Sequence, residues 1–405
     1  MARKMKDSGI EWIGEIPEGW SIARGKHILT LLQRAVFPTD GVITCFRDGE
    51  VTLRSNRRED GFTVSLKEIG YQGIEPGDLV VHGMDGFAGS IGISDSRGKS
   101  SPVLVVLDSS QDKKYLMYYL RSMAYNNVFL ALSTGIRVRS CDLKWNKLAD
   151  LLYLVPPIVE QHKLVSFLDE KCSEIDAMLS KTRASIEEYK KLKQAVITQA
   201  VATQQCSHIK LKYLMNVIVD CPHETPTYSF TGNYYVIRTA DQALASLRRD
   251  EDMYRLDASE YKKRTRRLTL DKDDIVYGRE GSWGLACLVP QSNKYCLGQR
   301  VMQFRCNTRL LYPKYAMYAL NSETVYMQGA LDTIGSTAPH VNISTICNYL
   351  LPVPALNEQK EITNYLDAKC AEIDKLIAKK EQLAKELESY KKSLIYEVVT
   401  GKREV

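Results

Sequence analysis

Two segments of this 405-residue chain carry apolar side chains at steps of three, four or seven residues, the spacing of one helix face. Neither segment contains glycine or proline between 160 and 202 or between 358 and 400. At 1.5 Å per residue, a helix of such length extends for roughly 60 Å, much longer than an average globular helix. A single apolar stripe is typical of a helix that packs along another helix. The stripe positions are Leu168, Ile175, Leu179, Ile186, Tyr189 and Val196, with Met178 and Leu192 beside them, and then Leu366, Ile373, Leu376, Leu383, Leu387, Tyr390 and Leu394.

The two helical segments also repeat each other. Residues 169–176 read DEKCSEID and residues 367–374 read DAKCAEID, so the segments share six of eight positions at an offset of 198. A duplicated unit usually folds into two similar lobes related by an approximate twofold axis. An axis perpendicular to the helices makes them antiparallel. The repeat therefore predicts a two-helix coiled coil with one lobe at each end, and two ordinary helices of a larger bundle remain the alternative.

The segments outside these helices predict two mixed lobes with a common plan. In the first lobe a strand ending at His82 precedes a glycine-rich loop, 83–90, and in the second a strand ending at Tyr277 precedes the loop 278–284. A compact helix is expected from Lys114 to Met123, and its counterpart at 314–322 lies at an offset of 200.

The predicted fold class is α+β (mixed), with two α/β domains separated by two long antiparallel helices and related by an internal pseudo-twofold repeat. The expected divisions are a first domain at 1–152, a first helical spacer at 153–205, a second domain at 206–351 and a second helical spacer at 352–405.

Composition indicates a globular protein, since 44% of residues are hydrophobic and 26% are charged. No apolar run reaches the length of a membrane span, and the first residues lack a signal-peptide core, so we expect a cytoplasmic protein. Ten cysteines without a Cys-x-x-Cys pair fit a reducing compartment. The net charge is +6, and the excess of lysine and arginine falls in 1–150 and 206–352, which leaves the helices neutral.

Motifs for catalysis are absent from the sequence. There is no Asn-Pro-Pro-Tyr-type motif, no glycine-rich methyl-donor loop of the usual kind and no phosphate-binding Gly-x-x-x-x-Gly-Lys-Ser/Thr loop. Cys221 and His223 are the one suggestive pair of metal ligands, and no second pair accompanies them. We therefore predict no catalytic residues and no metal site in this chain.

Several motifs together resemble the specificity subunits of Type I restriction-modification systems. They are the segment 6–20, KDSGIEWIGEIPEGW, the Pro-x-x-x-Glu-Gln openings at 156–161 and 354–359, the paired helices described above and the closing segment 390–402. The resemblance spans the chain from end to end.

The resemblance implies a non-catalytic DNA reader. It implies two target-recognition domains that each read one half of a bipartite site in double-stranded DNA, and helices that set the spacer between the halves. Two modification (methyltransferase) subunits would dock on the helices, and restriction/translocase subunits would join them. S-adenosylmethionine, ATP and Mg²⁺ are expected on those partner subunits, and no cofactor is expected in this chain.

Candidate DNA-contacting residues are chosen for cations that bind phosphate and for side chains that reach base edges. The run at 262–267 either clamps phosphates or forms a solvated charged face, and the loop at 279–283 either reads bases or is a structural turn. Taken singly, the polar candidates Ser336, Thr337 and His340 favour a scaffold role over reading. In the first domain the candidates are Arg54, Arg57, Arg58, Arg137 and Arg139. In the second they are Lys262, Lys263, Arg264, Arg266, Arg267, Arg279, Ser282, Trp283, Ser336, Thr337 and His340.

Three other hypotheses remain open at this point. An autonomous methyltransferase or nuclease would show turnover as a single chain. A non-catalytic coiled-coil scaffold would bind proteins rather than DNA and would lack salt-dependent DNA affinity. A silent specificity subunit would assemble with its partners but read poorly.

Overall fold

The computed structural model describes residues 3–57, 68–131, 143–202, 206–281, 283–331, 333 and 340–405. The chain divides into two compact units. Unit 1 comprises Met1–Lys181 with Leu383–Val405, and unit 2 comprises Thr182–Gln382. Each unit thus includes part of both long helices.

Unit 1 is built from short strands, small helices and parts of the two long helices. Its strands are β1 (Met5–Asp7), β2 (Glu15–Pro17), β3 (Ser21–Arg24), β4 (Leu29–Leu31), β5 (Ile43–Cys45), β6 (Val51–Leu53), β7 (Gln72–Ile74), β8 (Leu79–His82), β9 (Ile91–Ile93), β10 (Gly98–Ser100), β11 (Leu104–Ser109) and β12 (Leu152–Val155). Its helices are α1 (Gly25–Ile28), α2 (Lys113–Tyr125), α3 (Val128–Ala131), α4 (Trp145–Asp150) and the first part of α5 (Ile158–Val201).

Unit 2 has the same kinds of element. Its strands are β13 (Ser207–Lys210), β14 (Met215–Asp220), β15 (Tyr234–Ile237), β16 (Gln242–Ala243), β17 (Ser246–Leu247), β18 (Arg255–Leu256), β19 (Ile275–Gly278), β20 (Ala286–Leu288), β21 (Tyr295–Leu297), β22 (Val301–Cys306) and β23 (Leu350–Val353). Its own helices are α6 (Leu211–Leu214), α7 (Ala258–Arg264), α8 (Pro313–Leu320), α9 (Glu323–Ala330), α10 (Ile343–Cys347) and the first part of α11 (Leu356–Val399).

A four-stranded antiparallel sheet is the centre of unit 1, in the order β4-β11-β8-β9. Alternate residues of a strand point to opposite faces. Leu79 and Val81 of β8 accordingly join the core that includes α2, whereas Val80 joins a second core with Ile43 and Val51 of the β5–β6 hairpin. The sheet is covered on both faces, and the hairpin lies on the face opposite α2.

Unit 2 repeats this sheet in the order β14-β22-β19-β20, also antiparallel. Ile275 and Tyr277 of β19 belong to the core that includes α8, and Val276 belongs to a separate core on the other face. The helix expected to continue to residue 322 ends at Leu320, because Ser322 instead caps α9 by accepting a hydrogen bond from the N–H of Val325. The duplication inferred from sequence is therefore present in the sheets.

Each central strand begins beside a buried aspartate that binds an arginine. Asp78 pairs with Arg34 in unit 1, and Asp274 pairs with Arg305 at 2.8 Å in unit 2. The aspartate side chains are 4% and 2% exposed. A buried carboxylate requires such a partner, because the cost of removing it from water is several kcal/mol.

The repeated helical motif docks each unit's compact helix onto a long helix. Asp169 accepts hydrogen bonds from Lys114 at 2.7 Å and from Tyr118 at 2.8 Å. In unit 2, Asp367 accepts from Lys314 at 2.6 Å and from Tyr318 at 2.9 Å. The identity of these residues between the repeats thus has a shared structural cause.

Helices α5 and α11 each span 44 residues and run antiparallel where they meet. In unit 1, Lys391 binds Asp176 at 2.7 Å, and Arg403, just after the end of α11, lies over Phe167, nearer the start of α5. In unit 2, Lys193 binds Asp374 at 2.8 Å. Within that unit Ile197 and Val201 share a core with Cys370 and Leu366, which confirms the antiparallel pairing.

The buried seam differs from the predicted stripe at several positions. Leu168, Ile175, Leu179 and Ile186 are buried as expected. The seam also includes the polar Thr182 and Lys193, because the heptad spacing brings these positions to the partner helix. Four residues assigned to the stripe or its edge are instead exposed: Met178 at 53%, Leu192 at 48%, Leu383 at 41% and Tyr390 at 50%.

Candidate nucleic-acid interface

The β5–β6 hairpin of unit 1, which the predicted cations Arg54 and Arg57 directly follow, is held by close backbone packing. Its turn includes Gly49 at φ +89°, where a Cβ would lie 1.5 Å from the guanidinium of Arg121. A Cβ on Gly92 of β9 would lie 2.0 Å from the Gly49 carbonyl oxygen. Only glycine allows this approach of hairpin to sheet.

A polar cleft of about 670 Å³ opens between this hairpin and the end of β8. Its walls combine cationic, acidic and hydroxyl side chains with one aromatic ring. The lining residues are Ile43, Thr44, Cys45, Phe46, Arg47, Asp48, Arg54, Arg57, His82, Asp85, Ser90, Ser101 and Leu104.

The arginines of the cleft are positioned by acidic and aromatic neighbours. Arg57 binds Asp48 at 2.6 Å and Glu50 at 3.0 Å, and its guanidinium lies 4.2 Å from the centre of the Phe46 ring. Arg47 binds Asp85 at 3.1 Å and is 58% exposed. Arg54 donates to the Thr44 hydroxyl at 3.3 Å. The carboxylate pairs of Arg47 and Arg57 are exposed enough for these arginines to exchange a carboxylate for another anion at small cost.

His82, at the end of β8, has a fixed tautomer. Its Nδ1 accepts hydrogen bonds from the N–H of Asp85 at 3.0 Å and of Met84 at 3.3 Å. A nitrogen that accepts cannot carry hydrogen, so Nε2 carries the ring hydrogen and is a donor. Burial lowers the pKa of His82 below its ordinary value of 6.5, and Arg47 adds to this while Asp85 opposes it.

The neutral state of His82 makes the stability of unit 1 depend on pH. Because the pKa is lower in the folded chain, the unfolded chain binds a proton first as the pH falls through 6.5. The contribution of His82 is therefore complete above pH 6.5 and is lost between 6.5 and the lower folded pKa. We expect thermal unfolding from pH 7.5 to pH 5 to show a smaller loss of Tm in His82→Asn than in the native chain. Parallel curves for the two proteins would contradict this assignment.

In unit 2 the basic run lies on and just after α7, beside a cleft of about 310 Å³. Lys262, Arg266 and Arg267 are exposed. Lys263 is exposed and binds Glu224 at 2.8 Å. The run therefore presents a cationic surface that suits phosphate.

Arg264 is placed differently from its neighbours, because it is 7% exposed and points into the unit. Its guanidinium donates to the carbonyl oxygens of Leu297 at 3.1 Å and Glu224 at 3.0 Å, and more weakly to those of Pro222 and Gly298. It joins the loop after β14 to the end of β21. In this arrangement Arg264 supports the surface from beneath.

Arg279 is likewise turned inward, with 8% exposure. It binds Glu280 at 2.6 Å, and its Nη2 donates a long hydrogen bond to Asp220 Oδ2 at 3.5 Å, while Nε and Asp220 Oδ1 approach to 3.4 Å without hydrogen-bond alignment. Its backbone also pairs with Arg300 and Val341. Reading a base with Arg279 would require exchange of these carboxylates for DNA, and its assignment as a reader stays a prediction.

The remaining candidates are dispersed. Trp283 is 9% exposed and stacks on Tyr326 at 4.3 Å and 4°, so its ring is part of the core. His340 is exposed and bridges Glu280 through the backbone. Outside the described residues lie Arg58, Arg137, Arg139, Ser282, Ser336 and Thr337.

One group of possible metal ligands occurs among the described residues, formed by Asp220, Cys221 and His223 within 4.8 Å of one another. It fits a divalent ion poorly. Burial raises the pKa of the Cys221 thiol, Arg279 already neutralises Asp220, and three donors are fewer than a structural zinc site uses. The expectation of no metal stays a prediction.

Several residues of the cleft and of the exposed surface were not among the sequence candidates. Phe46, Arg47 and Ser90 come into the unit 1 cleft through the hairpin and the sheet, and no local pattern marks them. In unit 2, Phe230 is fully exposed near Tyr228 and Tyr254, whose rings lie 4.5 Å apart. Exposed aromatic rings on a turn-rich segment were the available signal for this second group.

None of the helices in the described part of the chain has the length and apolar character that a membrane span needs.

Comparison with known proteins gives concordant results. A family model described as the Type I restriction modification DNA specificity domain matches residues 221–388. The specificity subunit of the Escherichia coli Type I restriction enzyme EcoBI is 26% identical over 130 residues, which cover 32% of this chain and only 27% of that protein. A putative Type I restriction enzyme MjaX specificity subunit from Methanocaldococcus jannaschii is 21% identical over 425 residues, which cover 96% of this chain and 95% of that protein.

Solved structures share the fold along almost the whole chain. A structure from a study of complex assembly and conformational transition of the type I R-M system has a TM-score of 0.70 at 15% identity, with 96% of this chain and 99% of that chain covered. The HsdS subunit from Thermoanaerobacter tengcongensis has a TM-score of 0.50 at 14% identity, with 98% and 100% covered. Family model, relatives and fold agree that the chain is similar to the specificity subunits of Type I restriction-modification systems.

Proposed function

We propose that this chain is the DNA-recognition subunit of a Type I restriction-modification complex, with no catalysis of its own. The observation that carries the proposal is the duplicated sheet, present once in each unit and accompanied in each by a cation-bearing surface. The family match adds independent support. A protein-binding scaffold is not favoured by these similarities.

Each unit would read one half of a bipartite site. The cleft of unit 1 places Arg47, Arg54 and Arg57 around donors that could meet base edges. The surface at α7 in unit 2 supplies phosphate contacts, which fix position without specifying sequence. Because the two units share a scaffold but carry different side chains, each would recognise a different half-site.

The catalytic roles would belong to partner subunits. Two modification subunits would bring S-adenosylmethionine and methylate adenine after extruding it from the duplex, since the target atom is inaccessible in stacked DNA. Restriction subunits would add ATP, Mg²⁺ and translocation. Such an assembly would work in the cytoplasm, where the host DNA is.

Salt dependence of binding distinguishes this function from a scaffold. The assembled complex should bind duplex DNA more weakly as salt is added, because phosphate contacts release counterions. A plot of log Kd against the logarithm of the salt concentration should rise along a straight line. Fluorescence anisotropy with a labelled duplex, at several salt concentrations, measures the slope. A complex without salt-dependent DNA affinity would favour the protein-binding alternative.

The long helices would act as a ruler between the half-sites. One heptad inserted at matched positions in α5 and α11 keeps the seam and adds roughly 10 Å. We expect the unread gap of the methylated motif to grow by about three base pairs, at 3.4 Å per pair, with both half-sites unchanged. Alanine at the exposed positions Glu187 and Lys190 of α5 is the control and should leave the gap as it is. A gap that keeps its length after the insertions would refute the ruler.

A further inference from the structure

The floor of the unit 1 cleft has polar side chains. The Ser90 hydroxyl is fully buried, lines the cleft and has no hydrogen-bond partner among the described residues. His82 also lines the cleft, and because its Nδ1 is already occupied by two backbone N–H groups, the ring keeps its Nε2–H as a donor. An unsatisfied buried polar atom costs about 1–3 kcal/mol, so such a floor favours a polar occupant.

The cleft surrounds this floor with groups suited to nucleic acid. Arg57 is stacked on Phe46 at 4.2 Å, and Arg47 is more than half exposed at the rim. The carboxylates of Asp48, Glu50 and Asp85 occupy these guanidinium groups now and could give way to phosphate. A molecule that fills the cleft should therefore offer hydrogen-bond acceptors to the floor and negative charge to the arginines.

We infer that His82 is a specificity-determining residue of unit 1, which donates its Nε2–H to the N7 atom of one purine in the half-site that this unit reads. The inference rests on the proposed function and names the contact that would serve it. N7 is an acceptor of both purines at the major-groove edge. Guanine O6 lies beside N7, and thymine O4 lies beside a methyl group.

A single neutral donor distinguishes some bases from others but not all four. It accepts adenine and guanine alike, rejects cytosine, whose major-groove group is itself a donor, and meets the C5-methyl group instead of N7 where thymine replaces the purine. The contact therefore specifies a purine and leaves its identity to other side chains. One position of the half-site should consequently show purine preference that depends on His82.

Two substitutions separate this role from support of the loop at 83–90. In His82→Asn the amide oxygen replaces Nδ1 and keeps the loop hydrogen bonds, but the distal donor is lost. In His82→Gln the amide nitrogen replaces Nε2 and keeps the donor, but the loop acceptor is lost. We expect His82→Asn to reduce purine preference at one position by about 5- to 100-fold. His82→Gln should retain most of this preference.

The experiment uses the complete chain in complex with its modification subunit and competition binding with duplexes that carry every base at each half-site position. A second measurement uses 7-deazapurine at each purine in turn. The native complex should lose affinity for one 7-deaza probe, and the His82→Asn complex should be insensitive to that probe. The half-site read by unit 2 should be unaffected in both variants.

Each other outcome has a defined meaning. Full purine preference in His82→Asn with a defect in His82→Gln would overturn the inference and make His82 a support of the loop. The inference would also be overturned if the native complex bound every 7-deaza probe as tightly as the unmodified duplex. This measurement does not depend on the folding of any variant. Absence of any sequence preference in the native complex would instead contradict the proposed function.

Discussion

Replacing Asp274 with asparagine should lower the free energy of unfolding by about 2–4 kcal/mol, because the buried carboxylate accepts several charge-assisted hydrogen bonds that a neutral amide replaces only in part. The carboxylate accepts hydrogen bonds from Arg305 at 2.8 Å, from Gln303 at 2.6 Å and from the N–H of Asp271 at 2.8 Å. Its side chain is 2% exposed. The loss also removes support from β19, the strand that leads into the candidate reading loop. Chemical denaturation of the variant and of the native chain measures the difference.

Asp271 offers a matched control on the same arginine. It binds Arg305 at 2.7 Å, but its side chain is 45% exposed, so water can replace the contact. Asp271→Asn should cost less than about 1 kcal/mol. Asp78→Asn should reproduce the large effect in unit 1, where Arg34 is the partner. Equal, small losses at all three positions would show that the buried pairs do not hold the sheets.

Removing the exposed cations of α7 and its following turn should have the largest effect on DNA affinity. With Lys262, Arg266 and Arg267 all changed to glutamine, three phosphate contacts are lost. The slope of log Kd against log salt should fall by about three, and affinity at low salt should fall by roughly 10- to 100-fold. The methylated motif should keep its sequence, since phosphate contacts carry no base information.

Two neighbours in the same run provide the controls. Lys263→Gln should change the slope less, because Glu224 already binds that ammonium group at 2.8 Å. Arg264→Gln should destabilise unit 2 by disrupting the bonds to four carbonyl oxygens, with no direct change in salt slope for the folded fraction. If the triple variant kept the native slope, the basic run would be a solvated face.

The contrast within this run shows what a sequence can predict. Charge pattern identified five cations in six residues but could not distinguish the buried Arg264 from the exposed Arg266. Its partners, Pro222, Glu224, Leu297 and Gly298, are at least 33 residues away in the chain. Burial of a cation depends on such long-range acceptors, and a local window does not contain them.

The repeat and the helices were more accessible because their signals are local and periodic. The spacing of Leu168, Ile175 and Leu179 marked the seam correctly, and the repeated aspartates proved to dock similar helices in both units. By contrast, the cleft that holds His82 depends on the packing of Gly49 against Gly92. Nothing in the local pattern around residue 49 indicates which strand it will contact.

The most direct test of the central claim is to co-express this chain with its modification subunit and sequence the host DNA for methylated adenine. We expect a split motif, in which two short specific halves flank a gap of fixed length and unspecified sequence. Exchange of the unit 1 cleft residues should then alter one half alone. A stable complex that produces no new methylation, or a continuous motif without a gap, would contradict the account.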